Sequence, residues 1–152
     1  MLIYFAGPLF CEAELRFNAD LTAKLEAQGF QVFLPQRDGV ERSNPKYQAL
    51  SHSEWERAVF ALDKEKLLEA EIVLVILDGR VPDEGACVEL GIAYAQRELM
   101  HTRKLLIGYQ TDRRAAFPER KLNAMIRGAI DQVESDEAAL LAALAQYQAE
   151  PR

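Results

Sequence analysis

The sequence has little of what defines several classes of protein. Cysteine occurs only at positions 11 and 87, which is too few for a disulfide framework and too sparse for a metal-ligand cluster. The longest apolar run, residues 72–77, is far shorter than the ~20 residues that a membrane span needs, so we expect no membrane partner. No basic segment precedes the apolar N-terminus, so we expect no signal peptide. A reducing cytoplasm is therefore the expected location.

Positive charge is also scarce. Lys and Arg number 18 against 24 for Asp and Glu, which gives a net charge of −6. A nucleic-acid scaffold needs a basic surface to neutralise phosphates, so we expect no nucleic-acid partner, although a small nucleoside ligand is not excluded. No GxGxxG follows the first predicted strand, and neither GxxxxGK[ST] nor GxSxG occurs. A dinucleotide site, a P-loop and an α/β-hydrolase are therefore unsupported.

Apolar runs alternate with amphipathic segments along the whole chain. Hydrophobic residues make up 49% of it, enough for one core, and no repeat or linker divides it, so we expect a single domain over residues 1–152. The alternation predicts an α/β fold with a single doubly wound, mainly parallel sheet of the flavodoxin- or Rossmann-like type and helices on both faces. Residues 36–52 are polar and are expected to form a long loop. The predicted strands are 2–6, 30–34, 72–77 and 104–108, and the predicted helices are 12–28, from 53 or 54 to just before 72, 83–100 and 136–147.

Folds of this kind bind ligands at the carboxyl ends of their strands. The exit of the third strand, DGRVPDEGACVELGIAYA, is the segment richest in functional groups. Glu89 has apolar neighbours there, and carboxylates in such surroundings cluster at functional sites; a solvated place on the outer helix face is the alternative. Asp83 stands where a helix N-cap belongs, which is the structural alternative to a role in a site. Gly85 allows a ligand or backbone to approach closely.

Several motifs together resemble one family. The sequence is similar to the nucleoside 2-deoxyribosyltransferases over most of the chain. PDEGACVELG is the specific motif, because a Gly-Pro turn alone would not distinguish a family. The segments that carry the resemblance are IYFAGPLF at 3–10, FLPQRDG at 33–39, the helix with Asp63, LDGRVPDEGACVELGIAYA at 77–95 and LNAMI at 122–126.

The resemblance implies an enzyme that exchanges nucleobases on 2-deoxyribose through two carboxyl groups. Glu89 would be the nucleophile that attacks the anomeric carbon, and Tyr4 would orient its carboxylate. Asp83 and Asp63 would sit at the nucleobase and its proton. Such chemistry parallels that of retaining glycosidases and needs no metal or organic cofactor. The resemblance further implies substrate-binding positions at Gly7, Pro8, Phe10, Gln36, Asp38, Gly85, Asn123 and Met125.

Partners follow from the same resemblance. The small molecules would be a deoxynucleoside and a free nucleobase. Asn123 would reach across from a neighbouring subunit to the 5′-hydroxyl of the substrate's sugar, which implies a homo-oligomer, at least a dimer.

Two alternatives stay open. The string AMIRGA at 124–129 resembles the related 2′-deoxynucleoside 5′-phosphate N-hydrolases, and Arg127 or the basic loop containing Arg113, Arg114, Arg120 and Lys121 would then meet the phosphate. That loop is otherwise a solvated surface. Pro8 stands in the first loop where the hydrolases are rich in Ser and Arg, and Asn123 replaces their serine, which favours a free nucleoside. The second alternative is a non-catalytic module that binds nucleosides or nucleotides.

Overall fold

The computed structural model describes residues 1–112 and 122–151. All the predicted strands and helices occur in it, with ends shifted by a few residues. Their order along the chain is β1 Leu2–Ala6, α1 Glu12–Ala27, β2 Gln31–Phe33, α2 Pro35–Asp38, α3 His52–Glu69, β3 Ile72–Ile76, α4 Glu84–Met100, β4 Leu105–Tyr109, α5 Ala124–Ala129, β5 Gln132–Glu134 and α6 Glu137–Ala149.

The five strands form one sheet in the order β2-β1-β3-β4-β5, and every pairing is parallel. The predicted α/β fold with a parallel sheet is therefore confirmed. From β1 the chain moves to one side for β2 and then returns to the other side for β3. The connections that leave β1 and β3 consequently diverge, which opens a crevice at the carboxyl ends of these two strands.

Helices cover both faces of the sheet. Residues alternate between the faces along each strand, so Ile3 and Phe5 pack against α1 and α6, whereas Tyr4 packs against α3 and α4. The central strand β3 is buried along its whole length, as its continuous apolar run predicts. The side chain of Tyr4 is fully buried, which places its hydroxyl inside the layer beneath α4.

Three segments differ from the expectation. The first residues of the predicted loop at 36–52 belong to the short helix α2. This helix forms because Pro35 supplies the fixed φ that suits the first turn of a helix. The edge strand β5 is missing from the sequence prediction, since polar residues flank its single valine and pairing with β4 alone defines it. Lys104 lies just before β4 rather than within it, and its ammonium group donates to the carbonyl of Leu67 at 2.7 Å, near the end of α3.

The basic loop residues Arg113, Arg114, Arg120 and Lys121 lie outside the described part of the chain. Within that part, no helix combines the length and the apolar character needed to cross a membrane.

Two glycines give opposite predictions for stability. A Cβ on Gly108 of β4 would lie 2.6 Å from Leu77 Cδ1 and 3.2 Å from Val133 Cγ2, so we expect Gly108→Ala to destabilise the fold by about 1–3 kcal/mol. A Cβ on Gly91 of α4 would meet nothing within 4 Å, so Gly91→Ala should stabilise the helix by about 0.5–1 kcal/mol. Urea unfolding measures both, and a Gly108→Ala variant as stable as the natural chain would contradict the packing described.

Candidate active site

A short hydrogen bond joins β1 to α4 at the crevice. The hydroxyl of Tyr4 donates to Oε1 of Glu89 at 2.6 Å, across 85 positions of sequence. Glu89 is therefore partly buried and faces the sheet. It does not lie on the outer, solvated face of the helix, which is the alternative prediction. Because the Tyr4 ring is fixed in the core, its hydroxyl holds the carboxylate in one position.

Asp63 brings a second carboxyl group to the same place. It lies on α3, and with Glu89 it lines a cleft of about 310 Å³ at the carboxyl ends of β1 and β3. Within the described residues, no hydrogen-bond partner reaches its buried oxygen Oδ1. A buried polar atom without a partner is costly, and such atoms are frequently kept for a ligand. The other lining residues are Phe5, Gly7, Leu9, Phe10, Pro35, Gly39, Val40, Glu41, Trp55, Val59, Asp83, Gly85 and Ala86.

The electrostatics of the cleft favour protonated carboxyl groups. Burial raises the pKa of Glu89 to about 7; the hydrogen bond from Tyr4 opposes this shift, and the nearby charges of Asp63 and Asp83 add to it. Burial likewise raises the pKa of Asp63 to about 6. The pKa of the Tyr4 hydroxyl is raised by burial and by the charge of Glu89, so Tyr4 stays protonated and remains the donor.

Asp83 combines a structural contact with a place in the cleft. Its Oδ1 accepts a hydrogen bond from the backbone N–H of Ala86 at 2.9 Å, which confirms the predicted N-cap of α4. The same residue lines the cleft together with Gly85. Asp83 therefore both caps α4 and lines the cleft, because the N-terminus of α4 itself borders the crevice.

Five of the eight predicted substrate-binding residues lie away from the cleft lining, and Pro8, Gln36 and Asp38 are three of them. Gln36 donates to the Leu15 carbonyl at 2.8 Å and accepts from Asn18 at 3.0 Å, so its amide faces α1. Asp38 accepts the Leu34 N–H at 2.9 Å. Pro8 lines a separate cleft against α1. Gly7 and Phe10, the other two predicted positions of the first loop, line the cleft that contains Glu89 and Asp63.

The Asn-x-Met segment lies on the surface. Asn123 caps α5 through a hydrogen bond from the Met125 N–H to its Oδ1 at 2.8 Å, and the Met125 side chain is 82% exposed. The contact of Asn123 with a neighbouring subunit stays a prediction.

Sequence reasoning missed the role of Trp55. This residue of α3 lines the cleft, and its indole N–H donates to the Val40 carbonyl at 3.0 Å. This bond fixes the segment after α2 against α3. The available signal is that a partly buried indole needs a partner for its N–H group.

Comparisons with known proteins agree with this geometry. The family model for nucleoside 2-deoxyribosyltransferase matches residues 3–140, which include the whole crevice. The chain belongs to the nucleoside 2-deoxyribosyltransferase family. Family membership supports an enzyme of the deoxyribosyltransferase or N-glycosidase type.

Solved structures similar to this family member share its fold along nearly the whole chain. A conserved protein from Enterococcus faecalis V583 is 28% identical with a TM-score of 0.79, over 96% of this chain and 98% of its own. A 2-deoxyribosyltransferase from Bacillus psychrosaccharolyticus is 24% identical with a TM-score of 0.72, over 92% and 90%. A CMP N-glycosidase from Clostridium botulinum is 18% identical with a TM-score of 0.59, over 97% and 99%. The last two likenesses show the fold alone. Comparison with curated protein sequences gives no significant match.

The raised pKa of Glu89 predicts a pH-dependent cost to stability. Its pKa is about 7 in the fold against an ordinary 4.5, so the folded state binds the proton more tightly. Protonation of Glu89 thus stabilises the fold fully at pH values below 4.5, and this stabilisation is lost as pH rises from 4.5 through 7. We expect Glu89→Gln, which keeps an acceptor for Tyr4, to stabilise the fold at pH 8 by on the order of 1–3 kcal/mol and to change little at pH 4.5.

Urea unfolding at the two pH values measures this difference. Glu98→Gln is the matched control, because Glu98 lies on the same helix with its side chain 53% exposed and should show no such pH-dependent gain. An equal effect of Glu89→Gln at both pH values would contradict the burial of this carboxyl group.

Proposed function

We propose that this protein transfers 2-deoxyribose between nucleobases, with Glu89 as the nucleophile. The observation that carries the proposal is the hydrogen bond from the buried Tyr4 to Glu89, in a cleft that also holds Asp63. A carboxylate fixed by one oxygen, beside a second carboxyl group that titrates near neutral pH, is the equipment that glycosidic bond exchange with retention requires.

In the first half of the reaction, a Glu89 oxygen attacks the anomeric carbon of the bound deoxynucleoside. The N-glycosidic bond breaks, and its electron pair leaves with the nucleobase. The carboxyl proton of an acid in the cleft moves to that base. A covalent glycosyl ester of Glu89 remains, and the Glu89 charge stabilises the oxocarbenium-like state on the way to it.

In the second half, the incoming nucleobase attacks the anomeric carbon of the ester. The ester bond breaks, Glu89 leaves as a carboxylate, and the proton of the incoming base returns to the acid. Attack by water in place of the base gives free 2-deoxyribose, so hydrolysis is the competing outcome of the same intermediate.

Asp63 fits the proton carrier better than Asp83. Burial raises the pKa of Asp63 to about 6, so it can both hold and release a proton near neutral pH. Asp83 already accepts the N–H of Ala86 through Oδ1, so one of its oxygens is engaged in capping α4. We assign Asp83 to binding the base.

The charge of the cleft supports a free nucleoside as substrate. Glu41, Asp63, Asp83 and Glu89 all line it, and its lining includes no Lys or Arg among the described residues. A doubly charged 5′-phosphate would meet repulsion from these groups, whereas a neutral nucleoside would not.

Incubation with a deoxynucleoside and a different free base tests the proposal. We expect the new nucleoside to appear, and Glu89→Ala to abolish exchange and hydrolysis while Glu98→Gln leaves both unchanged, because only Glu89 reaches the sugar. Mass spectrometry of the denatured enzyme should show one 2-deoxyribosyl group attached. Release of free sugar alone would instead indicate a hydrolase. A strong preference for the 5′-monophosphate would indicate a nucleotide substrate. Full activity of Glu89→Ala would refute the assignment of Glu89 as the nucleophile.

The pH dependence of kcat/KM tests the roles of the two carboxyl groups. Activity needs ionised Glu89 and protonated Asp63, so we expect a bell-shaped pH profile of kcat/KM that rises as Glu89 ionises, falls as Asp63 ionises and has its maximum between about 6 and 7. Asp63→Asn removes a nearby negative charge that raises the pKa of Glu89, so the rise should move to lower pH. The same variant cannot protonate the leaving base, and the maximal rate should fall by roughly 10²–10⁴-fold.

Glu65→Gln is the control for this experiment, because Glu65 lies on the same helix with its side chain 60% exposed. An Asp63→Asn variant with both the rate and the pH profile of the natural enzyme would exclude Asp63 from the mechanism.

A further inference from the structure

A network of two side-chain amides, centred on the buried Asn18, lies behind the cleft at residues that do not line it. Asn18 of α1 is only 2% exposed, and its Nδ2 donates both to the Pro8 carbonyl at 2.9 Å and to Gln36 Oε1 at 3.0 Å. Gln36 in turn donates through Nε2 to the Leu15 carbonyl at 2.8 Å. The two backbone carbonyls accept only, so they determine the orientation of both amide groups.

This network joins the two segments that form one side of the cleft. Pro8 lies in the β1–α1 loop, whose neighbouring residues Gly7, Leu9 and Phe10 line the cleft. Gln36 belongs to α2, which leads directly to the lining residues Gly39 and Val40. Asn18 therefore links the position of the first loop to the position of the segment after β2.

We propose that Asn18 is a positioning residue for base exchange, and that Gln36 acts through Asn18 and α1 rather than by contacting the nucleobase. The inference rests on the proposed function, since it concerns the cleft in which that reaction takes place. Its physical basis is that both polar ends of the Gln36 side chain already have partners on α1. Because Gln36 does not line the cleft, a direct contact with the base would require its side chain to turn away from α1 and lose these hydrogen bonds, at a cost of about 0.5–1.5 kcal/mol for each.

The network also extends to the single tryptophan of the chain. The segment after α2 carries Val40, whose carbonyl accepts the Trp55 indole N–H at 3.0 Å. A shift of α2 would therefore change the surroundings of this ring. Fluorescence of Trp55 in the absence of substrate consequently reports the position of the cleft wall without any turnover.

Leucine substitutions of similar size remove the polar contacts without leaving large cavities. We expect Asn18→Leu and Gln36→Leu each to raise the KM of the free nucleobase by roughly fivefold to tenfold, the effect of about one hydrogen bond. The value of kcat should change less than twofold, and its pH profile should not move, because Glu89 and Asp63 keep their surroundings. Both variants should shift the Trp55 emission, and the double variant should be no worse than the more affected single variant.

Thr22→Val is the matched control. Thr22 lies on α1 one turn after Asn18, is also 2% exposed, and its hydroxyl has no hydrogen-bond partner within the described residues. The substitution should leave KM and Trp55 emission unchanged. Gln36 is less buried than Asn18, so Gln36→Leu keeps the test available if Asn18→Leu does not fold.

The outcomes separate the positioning role from its alternatives. Gln36→Leu could raise KM while Asn18→Leu leaves both KM and Trp55 emission unchanged. This result would indicate that Gln36 contacts the base directly, and it would overturn the proposal. Multiplying effects in the double variant would overturn it too, because they would mean independent actions. If the natural protein neither exchanges nor hydrolyses nucleosides, the proposed function fails. Unchanged Trp55 emission in both variants would separately refute the positioning of the cleft wall by Asn18 and Gln36.

Discussion

The hydrogen bond between Tyr4 and Glu89 connects the middle of the sheet to the helix that carries the proposed nucleophile. Tyr4 stacks on Phe33 of β2 with 5.6 Å between ring centroids, and its side chain is wholly enclosed. The position of one carboxylate oxygen thereby depends on the packing of β1, β2 and α4 together. A surface carboxylate would lose this restraint to water, because solvent competes for the hydrogen bond and leaves the side chain free to rotate.

The cleft keeps carboxyl groups together at a cost to stability. Burial raises the pKa values of both Glu89 and Asp63, which means that the fold disfavours their charged forms. Hydrophobic burial on both faces of the sheet offsets this cost elsewhere. Such a trade is common at catalytic sites, where groups that titrate near neutral pH are needed for proton transfer and nucleophilic attack.

Close packing at the strand ends gives the crevice its shape. A Cβ on Gly7 would lie 2.9 Å from Ile76 Cβ, so only glycine lets the first loop pass this close to β3. Behind this loop, the Asn18 amide donates to the Pro8 carbonyl, and the Trp55 indole donates to the Val40 carbonyl in the segment after α2. The two segments of the cleft wall are thus held through their backbone carbonyls by Asn18 and Trp55. These hydrogen bonds do not engage the carboxyl groups of Glu89 and Asp63.

The sequence by itself determined the alternation of strands and helices and, through the PDEGACVELG motif, the family, and it directed attention to the strand ends where the cleft lies. These follow from local periodicity and from a contiguous motif, which need no knowledge of distant contacts. Only the tertiary structure decided that Glu89 faces the sheet, that the amide of Gln36 faces α1 and that β5 completes the edge. Each of these depends on partners far away along the chain, such as Tyr4 for Glu89, and a local pattern carries no information about which distant group a side chain will meet.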